Sequence, residues 1–356
     1  MADVARSRPV HRSGVSGDCG RGTVFERPID SVSATDPLSS SAAPDHGLRT
    51  GLAKDAVRLS YAATIEHKLM RRLCLALEAL TGRPKLERLY ERYCAEPHGE
   101  DFFIEAIERM GVEIRLRGEG AIPATGSLAV VANHPFGAMD GIAVGCLLGR
   151  VRPDVMVIAH SALTRVPELA ERLFPIDFSG TREAERGNIK SRTAALAHLK
   201  SGGCLVVFPA GAVMTTPRPW ARAAEELPWG PLSARLIMRS GAAVLPLYVG
   251  GQNSRLFQLA SHVSQSFRYA LLFHEAARMI GGTIDMTLGR SIPFETVATF
   301  QDAVALTAWL RRQVFSLAEI ETNRIAEDSS FFGDFLEEGR AEGDERDGFS
   351  TAAARG

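Results

Sequence analysis

Tyr61, Ile65, Leu69, Leu73, Leu77 and Leu80 recur at four-residue steps, with a last step of three. That spacing predicts an amphipathic helix over 55–81, with Lys54, Arg58, Lys68, Arg71 and Arg72 around it. "RPKLERLYERYCAE" and "GEDFFIEAIERMG" predict two shorter helices. Then the period changes. "VEIRLRG", "GSLAVVAN", "DVMVIA", "CLVVFPAG", "AAVLPLYVGG" and "GTIDMTLGRSI" predict strands. Between them, 138–149, "ALTRVPELAERLF", "ERGNIKSRTAALAHLKSG" and "SARLIMRSG" predict helices, and "FQDAVALTAWLRRQVFSLAEIE" closes the series as another. Such alternation predicts an α/β fold, a mainly parallel central sheet flanked by helices, with the amphipathic helices at its N-terminal side.

The remaining stretches lack periodicity. Residues 1–50, rich in Ser, Arg, Pro, Asp and Gly, are expected to be a disordered tail. An N-terminal helical segment over 51–111 and an α/β domain over 112–326 follow, and then an acidic tail over 327–356, also expected to be disordered. Net charge is −1 over 356 residues, but the last thirty carry nine acids and three arginines. With the first fifty balanced at six of each sign, the body from 51 to 326 is about +5. That excess suits an anionic substrate or membrane surface and is too small for a nucleic-acid footprint. The five scattered cysteines lack metal-ligand spacing, which favours a reducing, cytoplasmic compartment. No signal-peptide core is expected at the N-terminus, and no apolar run reaches the eighteen residues of a membrane span.

The chemistry concentrates in "VVANHPFGAMDGIAVG", residues 130–145. A buried strand ends at Ala132, a helix begins near Ala138, and Asn133, His134 and Gly137 occupy the turn, with Asp140 just inside the helix. In parallel α/β sheets, sites form beyond the carboxyl ends of strands. A neutral imidazole is the usual general base near neutral pH, and a carboxylate on its other nitrogen fixes its tautomer. The bland alternative is a histidine closing a strand and an aspartate favouring a helix dipole. Gly137 would let backbone approach a ligand closely.

"NHPFGAMDG" resembles the first block of the glycerolipid acyltransferases, whose signature is His-x4-Asp. "FPAG" at 208–211 is similar to their Phe-Pro-Glu-Gly block, "VLPLYVGGQNSRLF" to the later proline-containing strand, and "REAERGNIKS" stands where the arginine-bearing block stands. The likeness runs from about 70 to 320 and is strongest to the bacterial hemolysin-like, lyso-ornithine lipid acyltransferase subgroup. Here the spacing is His-x5-Asp, as in that subgroup. The third-block glutamate is missing: Ala210 and Ala212 stand at its two known positions. Glu225 and Glu226, the nearest acids downstream, lie too far along to replace it by slippage.

The resemblance implies an acyltransferase that moves a fatty acyl group from acyl carrier protein or CoA to a lysolipid hydroxyl. No cofactor is bound, and the acyl thioester is a co-substrate. His134 would be the base and Asp140 its partner. Asn133, Gly137, Arg186, Asn188, Phe208, Pro209 and Gly211 would bind substrate. Backbone N–H groups near 208–211 or at the block-one helix start would hold the oxyanion. Arg186 suits a phosphate or carboxylate, its plain alternative being a solvated arginine at a helix start. The partners implied are a lysolipid, the thioester carrier and a membrane surface, without nucleic acid, at the inner face of the cell membrane. N-acylation of an ornithine-type head group and a non-catalytic lipid-binding protein are the alternatives, the latter suggested by Ala210 and Ala212. Trp229, next to a helix start, is expected to pack its loop against the body, whereas Trp220 suits either a membrane interface or loop packing. "VGGQNS" lacks the lysine of a phosphate loop, no Gly-x-Ser-x-Gly elbow is present, and His160, His198, His262 and His274 show no metal-ligand grouping.

Overall fold

The computed structural model describes Ser60, Ile65 and residues 67–318 apart from 98 and 100, all within the unit Asp55–Gly356. Both tails lie outside these residues. The sheet holds β1 (Glu113–Gly118), β2 (Leu128–Ala132), β3 (Val155–His160), β4 (Leu173–Ile176), β5 (Cys204–Val207), β6 (Ala243–Val249) and β7 (Thr283–Leu288), in the order β1-β7-β6-β2-β5-β3-β4. Every neighbouring pair is parallel except β6 with β7. The predicted mainly parallel α/β sheet is what forms.

The helices are α1 (Lys68–Leu80), α2 (Arg83–Ala95), α3 (Phe102–Met110), α4 (Ala138–Gly149), α5 (Pro167–Ala170), α6 (Arg182–Lys200), α7 (Leu232–Ser240), α8 (Arg255–Val263), α9 (Gln265–Arg278) and α10 (Phe294–Val297), with a further helix over 303–318. They cover both faces of the sheet. Leu128, Val130 and Ala132 of β2 share a cluster with Phe103, Ile107, Met139 and Val144 of α3 and α4. Ala129 and Val131 point to the other face, toward Leu199, Ile237, Leu306 and Leu310. The strict alternation is the period of two of an extended chain, and burial on both sides explains why β2 reads as an unbroken apolar run.

An apolar run of this kind leaves register undetermined, because a one-residue slip exchanges one apolar face for the other. Asn133 supplies the missing restraint. Its Oδ1 accepts from Val249 N at 2.7 Å and its Nδ2 donates to Val249 O at 2.8 Å. The side-chain amide thereby extends the β2–β6 ladder past Ala132 and pins the strand end where the site begins. The residue is fully buried, so losing either bond would strand a buried polar group, at about 1–3 kcal/mol.

Three elements differ from the sequence expectation. The helix predicted over 55–81 begins at Lys68, capped by His67, and most of 55–66 lies outside the described residues. Its packed face is also different: Cys74 and Glu78 are buried, while Leu69, Leu73 and Leu80 are exposed. Glu78 makes the buried face workable, accepting from Ser60 Oγ at 2.6 Å and pairing with Arg83 at 3.4 Å. "ALTRVPELAERLF" is a 3-10 turn at Ser161–Arg165, then α5, then the start of β4. β4 tolerates Pro175 because it is the last strand of the sheet, where a missing donor matters least. Finally, α8 and α9, not anticipated from the periodicity, fill the stretch between β6 and β7. Ser254 and Ser264 cap them, accepting from Phe257 N and Ser266 N.

Among the described residues no helix is long and apolar enough to cross a membrane, and no group of His, Cys, Asp and Glu is placed to hold a metal ion. Cys74, Cys94, Cys146 and Cys204 are free thiols.

Candidate active site

His134 leaves the central strand β2 directly after the buried Asn133. The turn that follows needs Gly137. Its φ of +84° is open to glycine and strained for other residues, and a Cβ there would meet Leu272 Cδ2 at 3.1 Å and Val213 Cγ2 at 3.2 Å. Helix α4 then starts, and Asp140 reaches back from its first turn. Its Oδ2 accepts from Phe136 N and Gly137 N, both at 2.9 Å. The same oxygen lies 2.9 Å from His134 Nδ1. That last contact is a close approach without full hydrogen-bond alignment. Asp140 is fully buried. Desolvation raises its pKa, against the pull of His134 and the two backbone donors. The two sequence readings of this aspartate describe one carboxylate: it closes the helix start and faces the imidazole.

With Nδ1 turned to Asp140, Nε2 is the nitrogen left to meet a substrate. The ring plane is set by Phe208, which stacks on it at a centroid distance of 4.4 Å and 25°. Phe208 is the first residue past β5, the strand hydrogen-bonded to β2, so adjacent parallel strands deliver the imidazole and the ring that stacks on it to the same sheet edge.

Glu226 is the residue the sequence hides. Its Oε1 accepts from His134 N at 2.7 Å, and its Oε2 accepts from Trp229 Nε1 at 2.6 Å. Sequence distance hides this contact, because Glu226 meets His134 only through a return of the chain. A hairpin-like return, Thr215 N to Glu225 O at 3.1 Å and Glu225 N to Thr215 O at 3.0 Å, folds the loop back to the site. Glu226 does not face a ligand as a third-block glutamate would, since both its oxygens brace the backbone and the indole. Burial pushes it up to about 7, against the two N–H donors and His134. Trp229 is thus a packed, buried ring, whereas Trp220 is exposed.

His134 opens onto a cavity of about 170 Å³. Gly137, Phe208 and Gly211 line it, together with the apolar Ile142, Val157, Leu163, Leu169, Leu173 and Ile176. A second apolar cavity of about 140 Å³ lies against it, sharing Ala138, Ile142, Leu163, Leu169 and Leu272 as a common wall.

A histidine–carboxylate pair at a strand end, over an apolar cavity, is an arrangement suited to acyl transfer. The sequence profile of the acyltransferase family matches residues 89–282, more than half the chain. The chain belongs to that acyltransferase family. It is 25% identical over 205 residues to a lyso-glycine lipid O-acyltransferase of Phocaeicola vulgatus, covering 56% of this chain and 71% of that one. It is 26% identical over 205 residues to the enzyme of the same name from Bacteroides thetaiotaomicron, covering 56% and 72%. Among solved structures it is similar to the 1-acyl-sn-glycerophosphate (LPA) acyltransferase PlsC of Thermotoga maritima, with a TM-score of 0.40 and 15% identity over 73% of this chain and 85% of that one.

The remaining residues singled out from the sequence are placed unevenly in this acyltransferase. Gly211, with φ +66°, lines the cavity with Gly137 and Phe208. Asn133 is buried in its pairing with Val249. Pro209 supports the loop, its carbonyl accepting from Gly230 N at 3.0 Å. Asn188 pairs with the backbone of Asp177 through both amide atoms, at 2.8 Å each. Arg186, expected to open onto the same cleft, is exposed on α6 and does not line the cavity. The N–H groups expected to hold an oxyanion are largely engaged: Phe136 N and Gly137 N by Asp140, and Gly211 N by Phe208 O at 3.0 Å.

Proposed function

We propose that this acyltransferase transfers a fatty acyl group from a thioester, carried by acyl carrier protein or CoA, to the hydroxyl of a lysolipid. The observation that carries the reading is the 2.9 Å approach to Asp140 of His134 Nδ1, on a ring that lines a mainly apolar cavity. His134 Nε2 takes the proton of the acceptor hydroxyl as its oxygen attacks the thioester carbonyl carbon. Asp140 stabilises the imidazolium that forms. The tetrahedral intermediate collapses with loss of the thiolate, which takes the proton from His134. The apolar cavity suits the acyl chain, and water is poorly accommodated among its aliphatic walls. The two relatives named lyso-glycine lipid O-acyltransferases support ester formation over N-acylation, and support an amino-acid lysolipid as acceptor.

A lysolipid resides in a membrane, and α1 carries a surface suited to meet one. Leu69, Leu73 and Leu80 are exposed beside Lys68, Arg71 and Arg72, a combination that favours anionic lipid surfaces. The test of the reaction is direct. Purified protein is incubated with acyl-CoA or acyl carrier protein thioester and with lyso-glycine lipid or 1-acylglycerol 3-phosphate, and products are read by mass spectrometry. A new ester-linked acyl chain on either acceptor supports the reading. Thioester hydrolysis alone, with every acceptor recovered unchanged, opposes it.

A further inference from the structure

Arg268 lies on α9, outside every block of the resemblance, and lines the same cavity as His134. Its guanidinium is half-buried and has no carboxylate partner among the described residues. Nη2 donates to Val213 O, and the group stands 5.8 Å from the centre of the Phe257 ring. Those contacts use one of its five N–H donors. A half-buried cation is ordinarily paired, because burial without a counter-charge is costly. Desolvation here lowers its pKa, opposed by the Tyr269 hydroxyl and by no carboxylate.

Its tether fixes where the spare donors lie. Val213 O receives the guanidinium, and the next residue, Met214, donates its N–H to His134 O at 2.9 Å. Two consecutive residues thus join the cation to the backbone of the base. Gln265, about a turn before Arg268 on α9, and Tyr269, the residue after it, line the same wall and bond each other at 2.9 Å. His160 lines it too, its Nδ1 accepting from Ala162 N at 3.0 Å, which leaves the proton of the neutral ring on Nε2. This wall offers donors and positive charge and no carboxylate.

We propose that Arg268 binds the anionic head group, carboxylate or phosphate, of the acceptor; this rests on the acyl-transfer reading above. The hydroxyl of a lysolipid lies a few bonds from its carboxylate or phosphate, which matches a base and a guanidinium facing one small cavity. The donor fits poorly, since the whole pantetheine arm separates its thioester from the nearest phosphate. A planar guanidinium also matches either oxyanion in bidentate fashion. Arg268 accordingly takes the role that the sequence suggested for Arg186.

The test reads binding without turnover. N-dodecanoylglycine, its methyl ester and 1-dodecanoylglycerol 3-phosphate, all below their micellar concentrations, are titrated calorimetrically into wild-type protein and into R268Q, R268K and R186A. Wild type should prefer the acid to the ester by about tenfold or more, the scale of one charge-assisted bond. R268Q should lose that preference with ester affinity unchanged, R268K should keep part of it, and R186A should keep all of it. The phosphate amphiphile shows which oxyanion is favoured, and tighter binding of either over the ester supports the subsite. An unchanged acid-to-ester ratio in R268Q overturns the proposal. So does equal loss of both ligands with a fall in melting temperature, which would make Arg268 a strut. A rise in the thioester KM of R268Q, with acceptor binding intact, would assign it to the donor and overturn it as well. Selective anion binding that depends on Arg268, in a protein that transfers no acyl group, would count against the reaction and not against the subsite.

Discussion

Glu226 accepts a hydrogen bond from the backbone N–H of His134, ninety-two residues earlier in the chain, at 2.7 Å. Its other oxygen takes the indole N–H of Trp229 at 2.6 Å. A carboxyl group serves both donors because each of its oxygens carries lone pairs, protonated or not. A glutamine has one acceptor and one donor, so Glu226→Gln leaves either His134 N–H or Trp229 N–H facing an NH₂. We expect this variant to lose about 1–3 kcal/mol of stability, the cost of a buried unmatched donor. Trp229→Phe in the same chain removes one of the competing donors, and the double variant should be less destabilised than the sum of the two singles. Urea denaturation of the four proteins checks it; strict additivity would mean the two N–H groups do not share the carboxylate.

The same residue makes stability depend on pH. Burial holds Glu226 at about 7, against an ordinary 4.5. Between those values the folded protein keeps the proton while the unfolded chain has released it. Stability contributed by this group is therefore full below 4.5 and lost as pH rises to about 7, with no further change above. At roughly 1.4 kcal/mol per pKa unit the loss is up to about 3 kcal/mol. Denaturation midpoints at pH 5 and pH 8 should fall further for wild type than for Glu226→Gln; parallel shifts in both would contradict the assignment.

Ile142 stands in the wall between the two apolar cavities. Ile142→Ala thins that wall and should connect the spaces, at a stability cost of up to a few kcal/mol. The expected result is a shift of the preferred donor toward longer acyl chains, read as kcat/KM across a thioester series. An unchanged length profile in a folded variant would place the acyl chain elsewhere.

The exposed leucines of α1 lie beside basic residues, so vesicle binding should carry an electrostatic part. Replacing Lys68, Arg71 and Arg72 together by Gln should reduce pelleting with anionic vesicles, and salt should release part of the wild-type protein. Equal binding of wild type to neutral and anionic vesicles would contradict this.

Much of the site's scaffold was readable from spacing. A buried run ending in Asn133-His134, a glycine turn and an aspartate at the helix start are local features, and local features survive in a sequence. So did the arrival of Phe208, since parallel neighbours end at one edge. What escaped depended on chain return or on helix rotation. Glu226 reaches the site through a loop closed by Thr215 and Glu225, a pairing with no periodic signature. Arg268 rides on α9, whose start is set by the Ser264 cap more than by an apolar stripe. Arg186 does not reach the cavity, because order along the chain says nothing of helix face. Ala184, Ser191, Ala195 and Leu199 are the buried side of α6, and Arg186 stands about 200° round from Ala184.

The central claim, that His134 is the base of acyl transfer, is tested most directly by single-turnover transfer from an acyl thioester to a lysolipid in wild type and His134→Ala. The ring is not buried in the core, so the variant should keep its melting temperature, while the transfer rate falls on the order of a hundredfold to ten-thousandfold. Transfer at the wild-type rate in a folded His134→Ala protein would contradict the account.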